Sequence, residues 1–255
     1  MQRRVLADAV LLYSFPAREG THYPLNIVAL QDPGAGRALL VDVAFEEQAA
    51  VVSEELAREG CVVTDVVLSH LHDDHFEGLR ALGAVTLHAS PRSQAAVDAR
   101  FGAEDRASLT PDDPLRDGAS FAFGAHELRF VEAPGHSPCS LLSVIDDRFV
   151  HVGDLLMSAA DGTPLLPYVA YPNVPVHIRT LQRLRERFAD RTLLLGHGPP
   201  LQGRAEVRAA IEQRLCYLRG VLRGKGRLSY DEVMRDCSGT FLHTEWHAMA
   251  PDVPS

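Results

Sequence analysis

The sequence is poor in cysteine, and its cysteines lack the spacing of a metal site. Four cysteines occur among 255 residues, and no two form a C-x-x-C pair. They are Cys61, Cys139, Cys216 and Cys237. Such wide separation indicates neither a disulfide framework nor a cysteine zinc site. Each is most simply a small buried apolar residue, and reduced thiols are typical of the cytosol.

The sequence also lacks a long apolar run, a clear leader and an excess of basic residues. No apolar run reaches the roughly 18 residues that a membrane-spanning helix needs. Asp8 and Pro16 interrupt the N-terminal segment, which is atypical of a signal peptide. A formal charge of -9 and a pI of about 5.7 argue against a nucleic-acid binder. These features predict a cytoplasmic protein that acts on small molecules, without membrane or nucleic-acid partners.

Histidine and aspartate are instead concentrated in one short segment. Positions 70–75 hold three histidines and two aspartates, directly after the apolar, β-branched segment 62–68, a predicted buried strand. Residues two apart on an extended segment share a face, so His70 and His72 point the same way. If a helix follows, Asp74 and His75 reach the same space. Imidazole and carboxylate together suit zinc, and also iron or manganese.

Other predicted strand ends also carry residues of metal-ligand type. Asp42 lies near the end of the predicted strand 38–43, where it is either a helix cap or the partner of a buried polar group. His136, Asp154 and His197 each follow a predicted strand and a glycine. In these three places glycine allows close approach of the backbone. The regular series predicts that the strand ends meet at one site.

The apolar pattern predicts alternating strands and helices. Strand 38–43, an amphipathic helix from Phe45 to Gly60 and strand 62–68 form a crossover, which predicts a parallel pair of strands. His88 lies within a later strand without neighbours of ligand type, so a structural role is the simpler interpretation. An apolar content of 46% supports a substantial core.

The order of these motifs resembles the metallo-β-lactamase-fold superfamily, over nearly the whole chain up to Pro200. The matching motifs are Asp42, His70-x-His72-x-Asp74-His75, Pro134-Gly135-His136, Gly153-Asp154 and Gly196-His197-Gly198. The resemblance implies an α+β fold, a four-layer αββα sandwich of two mixed β-sheets with helices on the outer faces. It further implies a single domain over residues 1–255.

The resemblance also implies a dinuclear centre. It assigns His70, His72 and His136 to a first metal, Asp74, His75 and His197 to a second, and Asp154 to both. The expected cofactors are two divalent ions, zinc before iron or manganese. Such a pair can share a hydroxide of lowered pKa that attacks an activated acyl bond. Asp74 and Asp154 are the expected catalytic residues, with Asp74 orienting the hydroxide and shuttling its proton.

The predicted reaction is hydrolysis of a thioester, lactone or related ester of a small molecule. Glutathione-thioester hydrolases of this fold carry basic residues soon after the bridging aspartate, but residues 155–160 contain none. Quorum-signal lactonases carry a tyrosine there, where this chain has Met157; Tyr168 and Tyr171 come later, and packing is their simpler role. A thioesterase-like or lactonase-like hydrolase therefore fits best. The alternatives are an iron-dependent, sulfur dioxygenase-like redox member of the fold and a non-catalytic metal-stabilised binding protein.

Two features stay open on the sequence alone. Cys139 stands where the family commonly has glycine; it either packs or tunes the site. Residues 204–255 are predicted to form a helical extension, near the pocket mouth or at a subunit contact, which permits a homodimer. Within it, His243 and His247 are four apart, but the ligand set is complete without them. A lid or contact role, shared with the single tryptophan, is therefore preferred to a third metal site.

Overall fold

The computed structural model describes residues 1–18 and 21–249. Its strands are β1 (Gln2–Ala7), β2 (Val10–Phe15), β3 (Leu25–Asp32), β4 (Arg37–Val41), β5 (Val62–Val67), β6 (Thr86–Ala89), β7 (Asp113–Pro114), β8 (Ser120–Phe123), β9 (His126–Glu132), β10 (Leu141–Ile145), β11 (Phe149–His151) and β12 (Thr192–Leu194). Its α-helices are α1 (Glu46–Arg58), α2 (Asp73–Phe76), α3 (Ser93–Arg100), α4 (Ala103–Leu109), α5 (Val174–Phe188), α6 (Arg204–Arg223) and α7 (Tyr230–Met234). Short 3₁₀ helices lie at Glu77–Ala81, Gly153–Leu155, Tyr171–Asn173 and Thr244–Met249. Among the described residues, no helix is long and apolar enough to cross a membrane.

The strands form two mixed sheets. The first has the order β1-β2-β3-β4-β5-β6-β7, with antiparallel pairs up to β4 and parallel pairs beyond it. The second has the order β12-β11-β10-β9-β8, and β11 and β12 are its parallel pair. The predicted crossover through α1 is confirmed, because it joins the parallel neighbours β4 and β5.

Alternate residues of the strands bury opposite faces of each sheet, which produces the predicted four layers. Side chains such as Leu39 on the first sheet and Phe130 on the second share the cluster between the sheets. Leu40, one residue after Leu39, faces the other way and belongs with Val52 of α1 to an outer cluster. The outer face of the second sheet packs in the same manner against α5 and α6. The αββα sandwich is therefore confirmed.

Some elements differ from the sequence-based predictions. Strand β1 was not predicted because its sequence does not alternate; its pairing with β2 at the sheet edge makes it a strand. The two-residue β7 lies in the segment 109–118, which the sequence predicts to be a loop, and no sequence-based prediction covers helix α4, which ends where that segment begins. The predicted strand 38–43 is two residues too long, because Asp42 has a φ of 56° and leaves the strand after Val41.

The prediction for the cysteines was wrong for two of the four. Cys216 of α6 and Cys237, just beyond α7, form a disulfide, whereas Cys61 and Cys139 are free and buried. The bond joins residues 21 apart in sequence. No local motif indicates it, because it depends on α7 folding back against α6. The disulfide also removes reduced thiols as a reason to expect a cytosolic location.

Reduction of this disulfide is expected to destabilise the protein. Opening a loop of this length increases the entropy of the unfolded chain, which corresponds to a loss of about 3 kcal/mol in the free energy of unfolding. Urea unfolding with and without reductant measures the loss, and a Cys216→Ser/Cys237→Ser variant should be insensitive to reductant. Equal midpoints for the reduced and oxidised wild-type chain would contradict the prediction.

Candidate metal centre

The candidate ligands lie at the carboxyl ends of strands. His70 and His72 follow β5, and α2 then begins at Asp73. In the second sheet, β9 and β11 are both antiparallel to β10, and β12 is parallel to β11, so these three strands end at the same edge. His136, Asp154 and His197 follow β9, β11 and β12. The topology therefore brings widely separated residues to one edge of the sandwich.

Four side chains form the first group of candidate ligands. They are His70, His72, His136 and Asp154, whose potential ligand atoms all lie within 4.8 Å of one another. Nδ1 of His72 is 3.0 Å from Nε2 of His70 and 3.0 Å from Nε2 of His136. Oδ2 of Asp154 lies 3.8 Å from Nε2 of His70 and 3.6 Å from Nε2 of His136. Three imidazoles and one carboxylate therefore converge.

The second group lies next to the first and shares its aspartate. Asp74, His75 and His197 place their potential ligand atoms within 4.8 Å of one another. Nε2 of His197 is 3.3 Å from Oδ2 of Asp74 and 3.3 Å from Oδ2 of Asp154. Nε2 of His75 is 3.3 Å from Oδ1 of Asp154. Asp154 thus faces both groups, and the structure brings together every residue that the sequence places in the site.

The outward nitrogens of four histidines are hydrogen-bonded. Nδ1 of His136 donates to the carbonyl of Tyr168 at 2.8 Å, and Nδ1 of His197 to the carbonyl of Pro24 at 2.8 Å. The other two are His75, bonded to Asp42 at 2.7 Å, and His70, bonded to Ser69 Oγ at 2.9 Å. A proton fixed on Nδ1 directs the Nε2 lone pair into the site, which is how protein ligands are oriented towards a metal.

Asp42 is the buried carboxylate behind this centre. It accepts hydrogen bonds from the backbone N–H and the hydroxyl of Ser69, both at 2.7 Å, in addition to the one from His75. It caps no helix, since the N-cap residue of α1 is Phe45. Of the two roles considered from the sequence, the partner of a buried polar group is therefore confirmed.

The donor set fits divalent metal ions. Nε2 of His75 and Oδ1 of Asp154 are buried and make no hydrogen bond, which is costly unless another group satisfies them. Gly196 leaves the space open, because a Cβ there would lie 2.7 Å from both Asp154 Oδ1 and His75 Cε1. Imidazole nitrogens with carboxylate oxygens are ligands for zinc, and also for iron or manganese.

In the metal-free protein, the histidines of the two groups differ in their charge. Burial lowers the pKa values of His70 and His72, and that of His136 to about 3, so these imidazoles are neutral at pH 7. Burial also opposes charge on His75 and His197, but neighbouring carboxylates outweigh it. Asp154 and Asp74 raise the pKa of His197 to about 10, and Asp154 and Asp42 raise that of His75 well above its usual value.

Metal binding at the second group is therefore expected to release protons. At pH 7, His75 and His197 must lose about two protons in total to become ligands, whereas the first group has none to lose. Stepwise zinc titration by calorimetry, in buffers of different ionisation enthalpy, measures the release at each step. The release should fall as the pH approaches about 10, the folded-state pKa of His197. Equal proton release at both steps would contradict this assignment.

The centre opens into a cavity of about 1020 Å³. Besides candidate ligands, the cavity is lined by Arg18, Thr21, Tyr23, Leu25, Phe45, Asp73, Glu77, Arg100, Met157, Tyr168 and Trp246. Tyr23 and both arginines lie outside the strand-end motifs, so no sequence pattern indicates them. Trp246 belongs to the predicted extension over residues 204–255, of which 250–255 lie outside the described residues.

The remaining residues singled out in the sequence lie outside the two groups. His88 bonds Asp65 and Asp113 across neighbouring strands, as its predicted structural role requires. Cys139 is buried in the outer core cluster against the first sheet.

His243 and His247 do not converge on a common atom. His243 bonds Glu245 at 2.7 Å, and His247 bonds Tyr217 at 3.0 Å and the carbonyl of Leu228 at 2.7 Å. Tyr171 packs against the cluster below the second sheet.

Comparison with known proteins identifies a family and several similar proteins. Residues 21–197 match the sequence profile of the metallo-beta-lactamase superfamily. A hydroxyacylglutathione hydrolase of Fuscovulum blasticum is 34% identical over 144 residues, 53% of this chain and 51% of that protein. A hydroxyacylglutathione hydrolase of Rhodopseudomonas palustris strain BisA53 is 31% identical over 171 residues, 66% of this chain and 60% of that protein. The chain thus matches about half to three-fifths of the length of these relatives.

Solved structures show the same fold. A beta-lactamase domain protein from Burkholderia ambifaria superposes with a TM-score of 0.65 at 23% identity, covering 88% of this chain and 78% of that one. A metallo-beta-lactamase from Pontibacter korlensis has a TM-score of 0.68 at 17% identity, covering 86% of this chain and 98% of that one. At these identities the similarity concerns the fold alone.

Proposed function

The chain belongs to the metallo-beta-lactamase superfamily, and on this basis we propose that it is a dinuclear metal-dependent hydrolase of an activated acyl bond in a small molecule. The observation that carries the proposal is the position of Asp154 between two convergent groups of ligand atoms. Its Oδ2 lies near His136 of the first group and His197 of the second, and its Oδ1 near His75, so this carboxylate is suited to hold two ions side by side. When bound, such ions lower the pKa of water and polarise an acyl carbonyl.

The residues of the site have different roles in the proposed reaction. His70, His72 and His136 would hold one ion and His75, His197 and Asp74 the other. Burial opposes ionisation of Asp74, but the neighbouring charges of His75 and His197 lower its pKa to about 2, so it is a carboxylate at neutral pH. Exposure to the cavity allows Asp74 to orient the attacking water and to accept its proton.

We further propose that the bond is a thioester, with a lactone or related ester as the other candidates. The support is the similarity to hydroxyacylglutathione hydrolases, which act on thioesters. No basic residue follows Asp154 closely, but Arg18 and Arg100 line the cavity. Arg100 also bonds Asp73 at 3.2 Å and the carbonyl of Leu71 at 2.6 Å, which ties it to the ligand-bearing segment. These guanidinium groups can bind an anionic part of the substrate.

The test is elemental analysis of the purified protein, combined with hydrolysis of a small panel of thioesters and lactones. About two zinc ions per chain, with turnover that a chelator removes and added zinc restores, are expected. One iron per chain with oxygen consumption and no hydrolysis would assign the protein to the redox alternative. The homodimer and the cytoplasmic location stay predictions from the sequence.

A further inference from the structure

Three aromatic side chains form a continuous wall of the cavity. Tyr23, Tyr168 and Trp246, here called the aromatic arc, all line it. The ring of Trp246 lies in the middle, with centroids 6.2 Å from Tyr23 and 5.6 Å from Tyr168, and both pairs meet edge to face. All three rings pack against the small buried cluster that contains Met157. The arc thus joins residues from three distant parts of the sequence.

The arc adjoins both groups of candidate ligands. The centroid of Tyr23 is 4.6 Å from that of His197, in the second group. Tyr168 lies 6.2 Å from His136 and 6.4 Å from His72, both in the first group. A substrate whose acyl carbon lies at the metal centre would therefore place adjoining atoms beside the arc.

Trp246 is held in this position by its own segment. Its ring stacks on that of His243, with centroids 4.3 Å apart and planes inclined by 8°. The segment is attached to the cavity wall by two backbone hydrogen bonds, from Leu242 N to Pro164 O at 2.9 Å and from Leu166 N to Leu242 O at 3.0 Å. The indole is therefore a fixed part of the cavity rather than a loose end.

We propose that the aromatic arc binds a bulky apolar acyl group, and that the substrate is a thioester or ester of an arylacetic type of acid rather than of a compact hydroxy acid. This inference rests on the proposed function. Tyr and Trp rings offer large apolar faces and favour edge-to-face packing with another ring. The cavity of about 1020 Å³ also has room for such a group beside the rest of the substrate, since pockets of about 300–1,000 Å³ hold ligands of drug size. Trp246 is thus assigned as a specificity-determining residue.

The first test compares the phenylacetyl and acetyl thioesters of the same thiol as substrates of the zinc-loaded enzyme. The ratio of their kcat/KM values is expected to favour phenylacetyl in the wild type and to fall by about tenfold in Trp246→Ala, because the burial of the ring against the indole is lost. Trp246→Phe should retain most of the preference, and Thr244→Ala, an exposed neighbour outside the cavity, all of it. An unchanged ratio in Trp246→Ala would overturn the assignment.

The second test does not depend on turnover. Trp246 is the single tryptophan of the chain, so the tryptophan emission of the wild-type protein, excited selectively over its tyrosines, reports on the arc. Phenylacetate is expected to change its emission saturably, whereas acetate is not. A response to phenylacetate without hydrolysis of any thioester would support the aromatic site and contradict the proposed function. Hydrolysis with no fluorescence response and no acyl preference would support the function and reject the site.

Discussion

Replacement of Asp154 by alanine is expected to remove both metal binding and activity. One carboxylate serves two groups of ligands, with oxygens 3.3 Å from Nε2 of both His75 and His197 and 3.6 Å from that of His136. Loss of residues that merely support a metal ligand costs about 10–100-fold in affinity or activity, and loss of a shared ligand should exceed the upper value. Metal content per chain and kcat/KM on an accepted thioester measure the two effects.

The control for this experiment is Asp161→Asn. Asp161 is exposed, lies seven positions further along the chain and contributes to neither group of ligands. Its replacement should leave two metals per chain and unchanged turnover, while circular dichroism reports whether each variant is folded. Retention of two tightly bound metals by folded Asp154→Ala would refute the bridging position.

The candidate ligands could be located from the sequence because they follow recognisable strands. They follow the carboxyl ends of β5, β9, β11 and β12, and a glycine or a polar cluster comes within three residues of each of these strands. Period-two alternation places the strands, and a residue at a strand end is confined to the sheet edge. Asp42 could be located in the same way, but choosing between its two roles needed the hydrogen bonds to Ser69 and His75.

The rest of the site depends on contacts that no local pattern encodes. Tyr23 and Trp246 meet although 223 positions separate them, and Trp246 reaches the cavity because Leu242 pairs with the segment around Leu165. The Cys216–Cys237 bond depends in the same way on the packing of one helix against another. Tertiary packing determines the positions of such side chains, whereas the periodicity of apolar residues indicates only the helix or strand to which a residue belongs.

Replacement of Asp42 by alanine is expected to destabilise the metal-free protein and to weaken the second metal site. Its carboxylate is fully buried and accepts hydrogen bonds from Ser69 N, Ser69 Oγ and His75 Nδ1, all at 2.7 Å. Removal would leave the Nδ1–H of His75 and the backbone N–H of Ser69 buried without acceptors, and breaking a buried ion pair by removing one partner typically costs about 3–5 kcal/mol. Zinc affinity at the second site should fall by about 10–100-fold, because Nδ1 of His75 loses its orienting acceptor.

The contribution of Asp42 to the free energy of unfolding depends on pH. Burial opposes ionisation of Asp42, but the charge and hydrogen bond of His75 hold its pKa below the usual value. Its stabilising contribution is therefore present above the unfolded-state pKa of about 3.9 and is lost as the pH falls through the lower folded-state value. In urea unfolding of the metal-free protein, the difference between wild type and Asp42→Ala should accordingly shrink in strong acid.

One further variant separates the effect of losing the Asp42 carboxylate from the effect of its unusual backbone conformation, and a second serves as a control. Asp42 has a φ of 56°, a conformation that asparagine adopts more readily than alanine. Asp42→Asn should therefore keep the backbone while weakening the bond to His75, and its loss of stability should lie between wild type and Asp42→Ala. Asp32→Ala, at the end of β3, removes a carboxylate that belongs to neither group of ligands and should leave zinc affinity unchanged. Wild-type zinc affinity in Asp42→Ala would show that Nδ1 of His75 does not need this partner.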